Sequence, residues 1–167
     1  MSERKTVTKW FWVWEFDKEE RWLNQMAMEG WALCDVGFCR YTFESCEPGE
    51  YTIRTEMRKS DPEYVSFMSE IGAEYIGRVV QWIYFRKKAE DGPFELFDLD
   101  AKIDHLSRIA RMLWLIGLAN LLIGVVNTLN VGGFGIVNLL CATLLMYGLG
   151  RIEGKKEALE TERELHE

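Results

Sequence analysis

Between Met112 and Gly150 this 167-residue chain has no charged side chain at all. That absence decides which solvent the segment lives in. Other shortages narrow the function. There is no basic run, and the formal net charge is −7. Nucleic acid is therefore not an expected partner, because such binders concentrate Lys and Arg into a patch. The chain has two histidines, His105 and His166, and four cysteines without a CxxC pair. A zinc site is not expected, and no other metal or cofactor is read. Cys34, Cys39, Cys46 and Cys141 are read as reduced thiols. With no histidine in the N-terminal part, no Ser/His/Asp or Cys/His arrangement is available there. No glycine loop stands between a strand and a helix to cradle phosphate. Catalysis is thus the weakest reading, and no catalytic residue is assigned. No cleavable signal peptide is read, because the N-terminus is polar and Glu15 and Asp17 interrupt the first aromatic run. No internal repeat is found.

The uncharged segment is split by Asn130-Val131-Gly132-Gly133. Each half falls at the short end of the about 20 residues that cross about 30 Å of hydrocarbon. The expectation is a transmembrane helical hairpin over 112–150. A buried hairpin in a soluble oligomer is the alternative. Arg108 and Arg111 precede the first span, Arg151, Lys155 and Lys156 follow the second, and the loop has neither Lys nor Arg. The positive-inside rule then puts both termini in the cytoplasm of a two-span protein of the cell membrane. Asn120, Asn127 and Asn138 must face protein, since unpaired polar groups in lipid are costly, and Gly117, Gly124, Gly132, Gly135 and Gly148 allow close helix approach. Packing within the hairpin or self-association explains them. A polar pathway would need an oligomer, because two helices enclose no pore.

The mean hydropathy of −0.15 averages this segment with a charged remainder. Seven Trp, nine Phe and six Tyr are present, mostly before residue 98. Lys5 to Phe16 reads as a central strand with both faces apolar. Asp17 to Gly30 reads as a helix, with Asp17 and Glu20 as a capping box and Gly30 as its stop. The acidic cluster Glu15, Asp17, Glu19 and Glu20 could suggest a metal site or an acid/base pair, but capping and helix-dipole complementarity explain Asp17, Glu19 and Glu20 with nothing extra. Strands follow at 31–36, 40–46 and 51–57. A second helix begins at Asp61-Pro62-Glu63 and ends at Gly72, and one or two further strands span 74–86. The fold class is α+β: a ferredoxin-like antiparallel sheet with two helices on one face, over 1–93. An amphipathic juxtamembrane helix over 94–111 leads into the hairpin, and 151–167 is a charged helical tail.

Trp10, Trp12 and Trp14 put three rings on one side of a single strand, and Trp82 and Tyr84 repeat the alternation. If that side lies under the helices, the rings are ordinary core. If it is open, they form a surface for a hydrophobic ligand, another protein or the headgroup zone.

The run Lys9-Trp10-Phe11-Trp12-Val13-Trp14-Glu15-Phe16-Asp17-Lys18-Glu19-Glu20 is followed by Trp22-Leu23-Asn24 and Gly30-Trp31-Ala32-Leu33. Together with Tyr41-Thr42-Phe43, Pro48-Gly49-Glu50-Tyr51 and Phe94-Glu95-Leu96-Phe97, it resembles a bacterial membrane-protein family, the domain of unknown function twenty-eight twelve. The resemblance runs from about Lys5 to Gly150. It implies a cytoplasmic N-terminal domain, C-terminal membrane helices and genes often set beside PadR-type regulators. It implies no catalytic residue. The expected function is a membrane-anchored regulatory or sensory module. Its aromatic surface would bind a hydrophobic small molecule or a regulatory protein. The alternative is a homo-oligomeric scaffold or pore built from the hairpins.

Overall fold

The computed structural model describes residues 3–58, 61–92, 94, 99–131 and 135–166. The chain forms two compact units, Met1–Leu96 and Phe97–Glu167. The first contains β1 (Arg4–Thr8), α1 (Phe16–Met28), β2 (Trp31–Gly37), β3 (Arg40–Ser45), β4 (Tyr51–Met57), α2 (Pro62–Glu70), β5 (Ala73–Val79) and β6 (Trp82–Lys88). The second contains α3 (Leu99–Val131) and α4 (Gly135–His166).

The α+β class followed by a helical hairpin is present as expected. The strands, however, divide into two three-stranded antiparallel sheets, in the orders β1-β3-β2 and β4-β6-β5. Each sheet and its helix repeat the same strand–helix–strand–strand path, with the last strand in the middle. The correspondence reaches into detail. Gly30 and Gly72 end the two helices at φ +86° and +83°, a conformation that L side chains avoid. The register slips between Leu33 and Asp35 in β2, and between Tyr75 and Gly77 in β5. The duplication is invisible in the sequence because the two halves fill equivalent frames with different residues. Strand β3 places Tyr41 and Phe43 against Trp22 of α1. Strand β6 places Ile83 and Phe85 in a second cluster with Met68 of α2. The halves join where β2 lies beside β5 and where α1 lies on β4. Leu23, Met26, Leu33, Phe43, Ile53 and Tyr84 meet there in the main core.

The first expected strand needs correction. β1 stops at Thr8 and sits at a sheet edge, paired only with β3. Its side chains are mostly exposed, so no layer packs on it to bury the apolar run that follows. The chain instead leaves the sheet and turns through a short 3-10 segment, Val13–Glu15. Phe11 thereby reaches Trp22 and Tyr41, at 5.6 and 6.4 Å between ring centroids. The capping box at α1 also fails. The helix begins at Phe16, and its N-cap, Glu15, makes no side-chain capping bond. At α2 the expectation holds: Asp61 Oδ1 accepts from Glu63 N at 3.1 Å, and Pro62 follows the cap.

In the second unit the juxtamembrane segment and the first apolar stretch form one helix, and the charged tail continues the other. α3 has 33 residues, about 50 Å at 1.5 Å per residue, well beyond the hydrocarbon thickness of about 30 Å. Both helices are long and apolar enough to cross a membrane. Gly132 and Gly133 of the expected break, Pro93 of the expected linker and the 95–98 start of the juxtamembrane helix lie outside the described residues.

Candidate functional site

The aromatic residues singled out in the sequence separate into three groups. Trp10, Trp12 and Phe38 are 55%, 40% and 72% exposed. They form one patch: Trp10 meets Trp12 edge-on at 5.5 Å and Phe38 edge-on at 6.0 Å. Trp14 is buried and stacks on Trp12 at 5.0 Å, with the ring planes 6° apart. It roots the patch in the domain. Trp82 is half-buried and stacks on Phe16 at 5.7 Å. Tyr84 is buried in the core. It therefore does not extend an open aromatic surface, and that expectation is corrected. The reason is its hydroxyl, which has an acceptor inside. Sequence reading missed Phe38, whose only signal is a large apolar ring beside Gly37 in the β2–β3 turn.

The acceptor inside is Glu19. Its Oε1 takes hydrogen bonds from Tyr41 Oη at 2.8 Å and Tyr84 Oη at 2.7 Å. Burial raises the Glu19 pKa, the two tyrosine bonds oppose that rise, and the neighbouring Glu20 charge adds to it. Burial and the Glu19 charge in turn push both tyrosine hydroxyls well above their ordinary range. Glu20 points to β4: Oε2 accepts from Thr55 N at 2.8 Å, and Oε1 pairs with Arg54 at 3.2 Å. Asn24, one turn on, completes the clamp. It accepts from Ile53 N at 2.9 Å and donates to Ile53 O at 2.8 Å, as a neighbouring strand would. Glu19 and Glu20, read as part of a helix start, therefore fasten α1 to the sheets, Glu19 to Tyr41 of β3 and Tyr84 of β6, Glu20 to β4.

Arg86 is the other polar hub. Its guanidinium pairs with Glu44 and Glu74, each at 2.7 Å, and donates to Leu33 O at 3.1 Å. Burial works against its charge, but the bonds to Glu74 and Glu44 outweigh burial and hold its pKa above the ordinary value. One forked side chain thus bridges β2, β3, β5 and β6. The Arg86→Met variant should lose about 2 kcal/mol of unfolding free energy, the carboxylates being partly solvated. Lys should recover only part of it, since an ammonium cannot form the fork. Urea unfolding of the full chain in micelles checks this; equal Met and Lys variants would refute it.

The hairpin seam takes up most of the polar residues flagged in the sequence. Asn138 Nδ2 donates to Asn120 Oδ1 at 3.3 Å, and Asn120 Nδ2 donates to Ile116 O at 2.9 Å. Asn127 is half-buried. Gly117 and Gly124 are buried in the seam. A Cβ on Gly124 would lie 2.8 Å from Leu139 Cδ2 and 3.1 Å from its backbone N. Gly135, also expected to allow close approach, is the tightest position: a Cβ there would strike the Gly124 carbonyl and the Thr128 hydroxyl. The large apolar side chains Leu115, Leu122, Val126, Leu129, Val137 and Leu140 face outward instead. Among the described residues, no three His, Cys, Asp or Glu side chains come together as a metal site. The four cysteines are free thiols.

Residues 15–118 match the family model described as Protein of unknown function (DUF2812). The chain belongs to this family. The DUF2812 match starts at the 3-10 turn before α1 and ends within α3. It includes Glu19, Glu20, Asn24, Phe38 and Arg86, and leaves out Trp10, Trp12 and all of α4. No curated protein and no solved structure gave a significant match to this DUF2812 chain.

Proposed function

We propose that this chain is a membrane-anchored, non-enzymatic regulatory module whose α+β domain docks a partner protein on the Trp10–Trp12–Phe38 patch. The observation that carries the reading is the exposure of three interlocked rings rooted on the buried Trp14. Large aromatic rings held rigid at low entropy cost are the usual energetic centres of protein interfaces. An open patch suits a protein face better than a small molecule, which needs most of its surface enclosed. The buried polar groups of the domain are taken up structurally, Glu19 by tyrosines, Glu20 by Thr55 and Arg86 by two carboxylates. That leaves little for catalysis.

The anchor is the hairpin. Its candidate spans are only 28% and 22% buried, and a sleeve of exposed Leu, Ile and Val suits lipid rather than water. Arg108 and Arg111 before the spans, and Arg151, Lys155 and Lys156 after them, favour two cytoplasmic ends. The pairing of Asn120 with Asn138 inside one hairpin weighs against a homo-oligomeric pore lined by these asparagines.

A photo-crosslinking residue at position 38 in cells tests the patch. The expected result is a discrete protein adduct, lost when Trp10 and Trp12 are both changed to Ser. Loss of the ring pairs should cost about 1–2 kcal/mol of stability, and a retained cooperative melt shows that the domain stays folded. Adducts to lipid alone would make the patch a headgroup contact instead. No adduct at all would sink the docking reading.

A further inference from the structure

Beyond the anchoring role, one cleft on the hairpin has the chemistry of a binding site. It is open and encloses about 410 Å3. α3 contributes Arg111 and Trp114, α4 contributes Glu153 and Lys156, and Ala110 and Leu149 supply apolar lining. Arg111 is the last charged residue before the uncharged segment, and it makes no hydrogen bond or ion pair among the described residues. Lys156 lies 3.9 Å from Glu153 and 3.8 Å from Glu160, which is near enough for attraction but too far for a hydrogen bond. Arg111 thus keeps its donors available, three residues before the tryptophan that opens the apolar sleeve, and Lys156 faces it from α4 between two loosely paired carboxylates.

We propose that this cleft holds the phosphate of an anionic membrane phospholipid between Arg111 and Lys156, with its glycerol and upper acyl chain along Trp114 and Leu149. Basic pockets between membrane helices are suited to anionic headgroups, and tryptophan favours the same depth. A free anion would satisfy the cations and leave the apolar side of the cleft unfilled. The lipid fills both. Glu153 lies one turn before Lys156 on α4 and 3.9 Å from it, and its charge sets how tightly the phosphate is held.

The proposal rests on the membrane reading, and its test separates the two. The full chain is first checked for resistance to alkaline extraction from membranes; release would end the membrane reading itself. The extracted protein in detergent is then titrated with phosphatidylglycerol or phosphatidylcholine, and bound lipid is counted by native mass spectrometry. Retention of phosphatidylglycerol over phosphatidylcholine is expected. Arg111→Gln with Lys156→Gln should weaken it roughly tenfold or more, the scale of lost charge-assisted bonds. Lys102→Gln, outside the cleft, should leave it unchanged. Glu153→Gln should tighten it, a direction that damage to the fold would not produce. Equal retention of the two lipids, or wild-type retention by the double variant, overturns the proposal. So does displacement by millimolar inorganic phosphate, which would mark a free-phosphate site.

Discussion

Replacing Glu19 with Gln should make the protein more stable than wild type at pH 8, whereas Leu at the same place should fall about 3 kcal/mol below Gln. Both tyrosine hydroxyls donate to the same oxygen, Oε1. A Gln carbonyl there keeps both bonds and removes a buried charge. A Leu removes the charge as well, but leaves two buried hydroxyls without an acceptor, at about 1–3 kcal/mol each. The Gln–Leu difference therefore isolates the hydrogen bonds. The pH dependence has a definite sign. The folded-state pKa of Glu19 lies above its ordinary 4.5. As pH rises above that value the unfolded chain loses the proton first, so the native state binds more protons and its stability falls. The fall continues until pH passes the raised folded pKa. The Gln variant lacks this term, so its advantage should be near zero at pH 4 and grow with pH. Thermal melts of the full chain in micelles, read by tryptophan emission from pH 4 to 8, measure it. A Leu variant as stable as Gln would show that the tyrosine bonds contribute nothing. A pH-independent Gln advantage would remove the buried-charge account.

Gly135→Leu should open the tip of the hairpin. A Cβ at 135 meets the backbone carbonyl of Gly124 as well as the Thr128 side chain. Backbone inside a helix cannot step aside as a flexible side chain can. Overpacking of this kind costs about 3 kcal/mol or forces the helices apart. Lipid gives little hydrophobic pressure to push them back, because the exposed tails are as apolar as the helices. The readout is the Asn120–Asn138 contact. With both changed to Cys in a Cys141→Ser background, a disulfide should form readily in the otherwise unaltered hairpin and be lost with Gly135→Leu. Gly150→Leu is the control, since nothing lies within 4 Å of the Cβ it adds. Rapid disulfide formation in both variants would show that the close approach at Gly135 does not hold the helices together.

Much of the secondary structure was legible locally. Gly30 and Gly72 stop their helices where the sequence places them, and the β4 limits agree with its alternation. The site was less legible. Trp10, Trp12 and Trp14 look equivalent in an alternating run, yet the chain leaves the sheet and sends one ring inward and two outward. Glu19 and Glu20 have the signature of a capped helix start, because a carboxylate in the first turn looks the same whether it meets its own backbone or a distant tyrosine.

The sequence by itself determined the class of the fold and the uncharged stretches of the two long helices. Those follow from periodicity and charge, which are properties of one element at a time. Only the tertiary structure decided that the strands form two matching sheets. It alone placed Glu19 between two tyrosines, spread the bonds of Arg86 over three other strands and brought Asn120 to Asn138. The physical reason is that a pattern reports which face of an element must be covered. What covers it is set by partners brought together from distant parts of the chain.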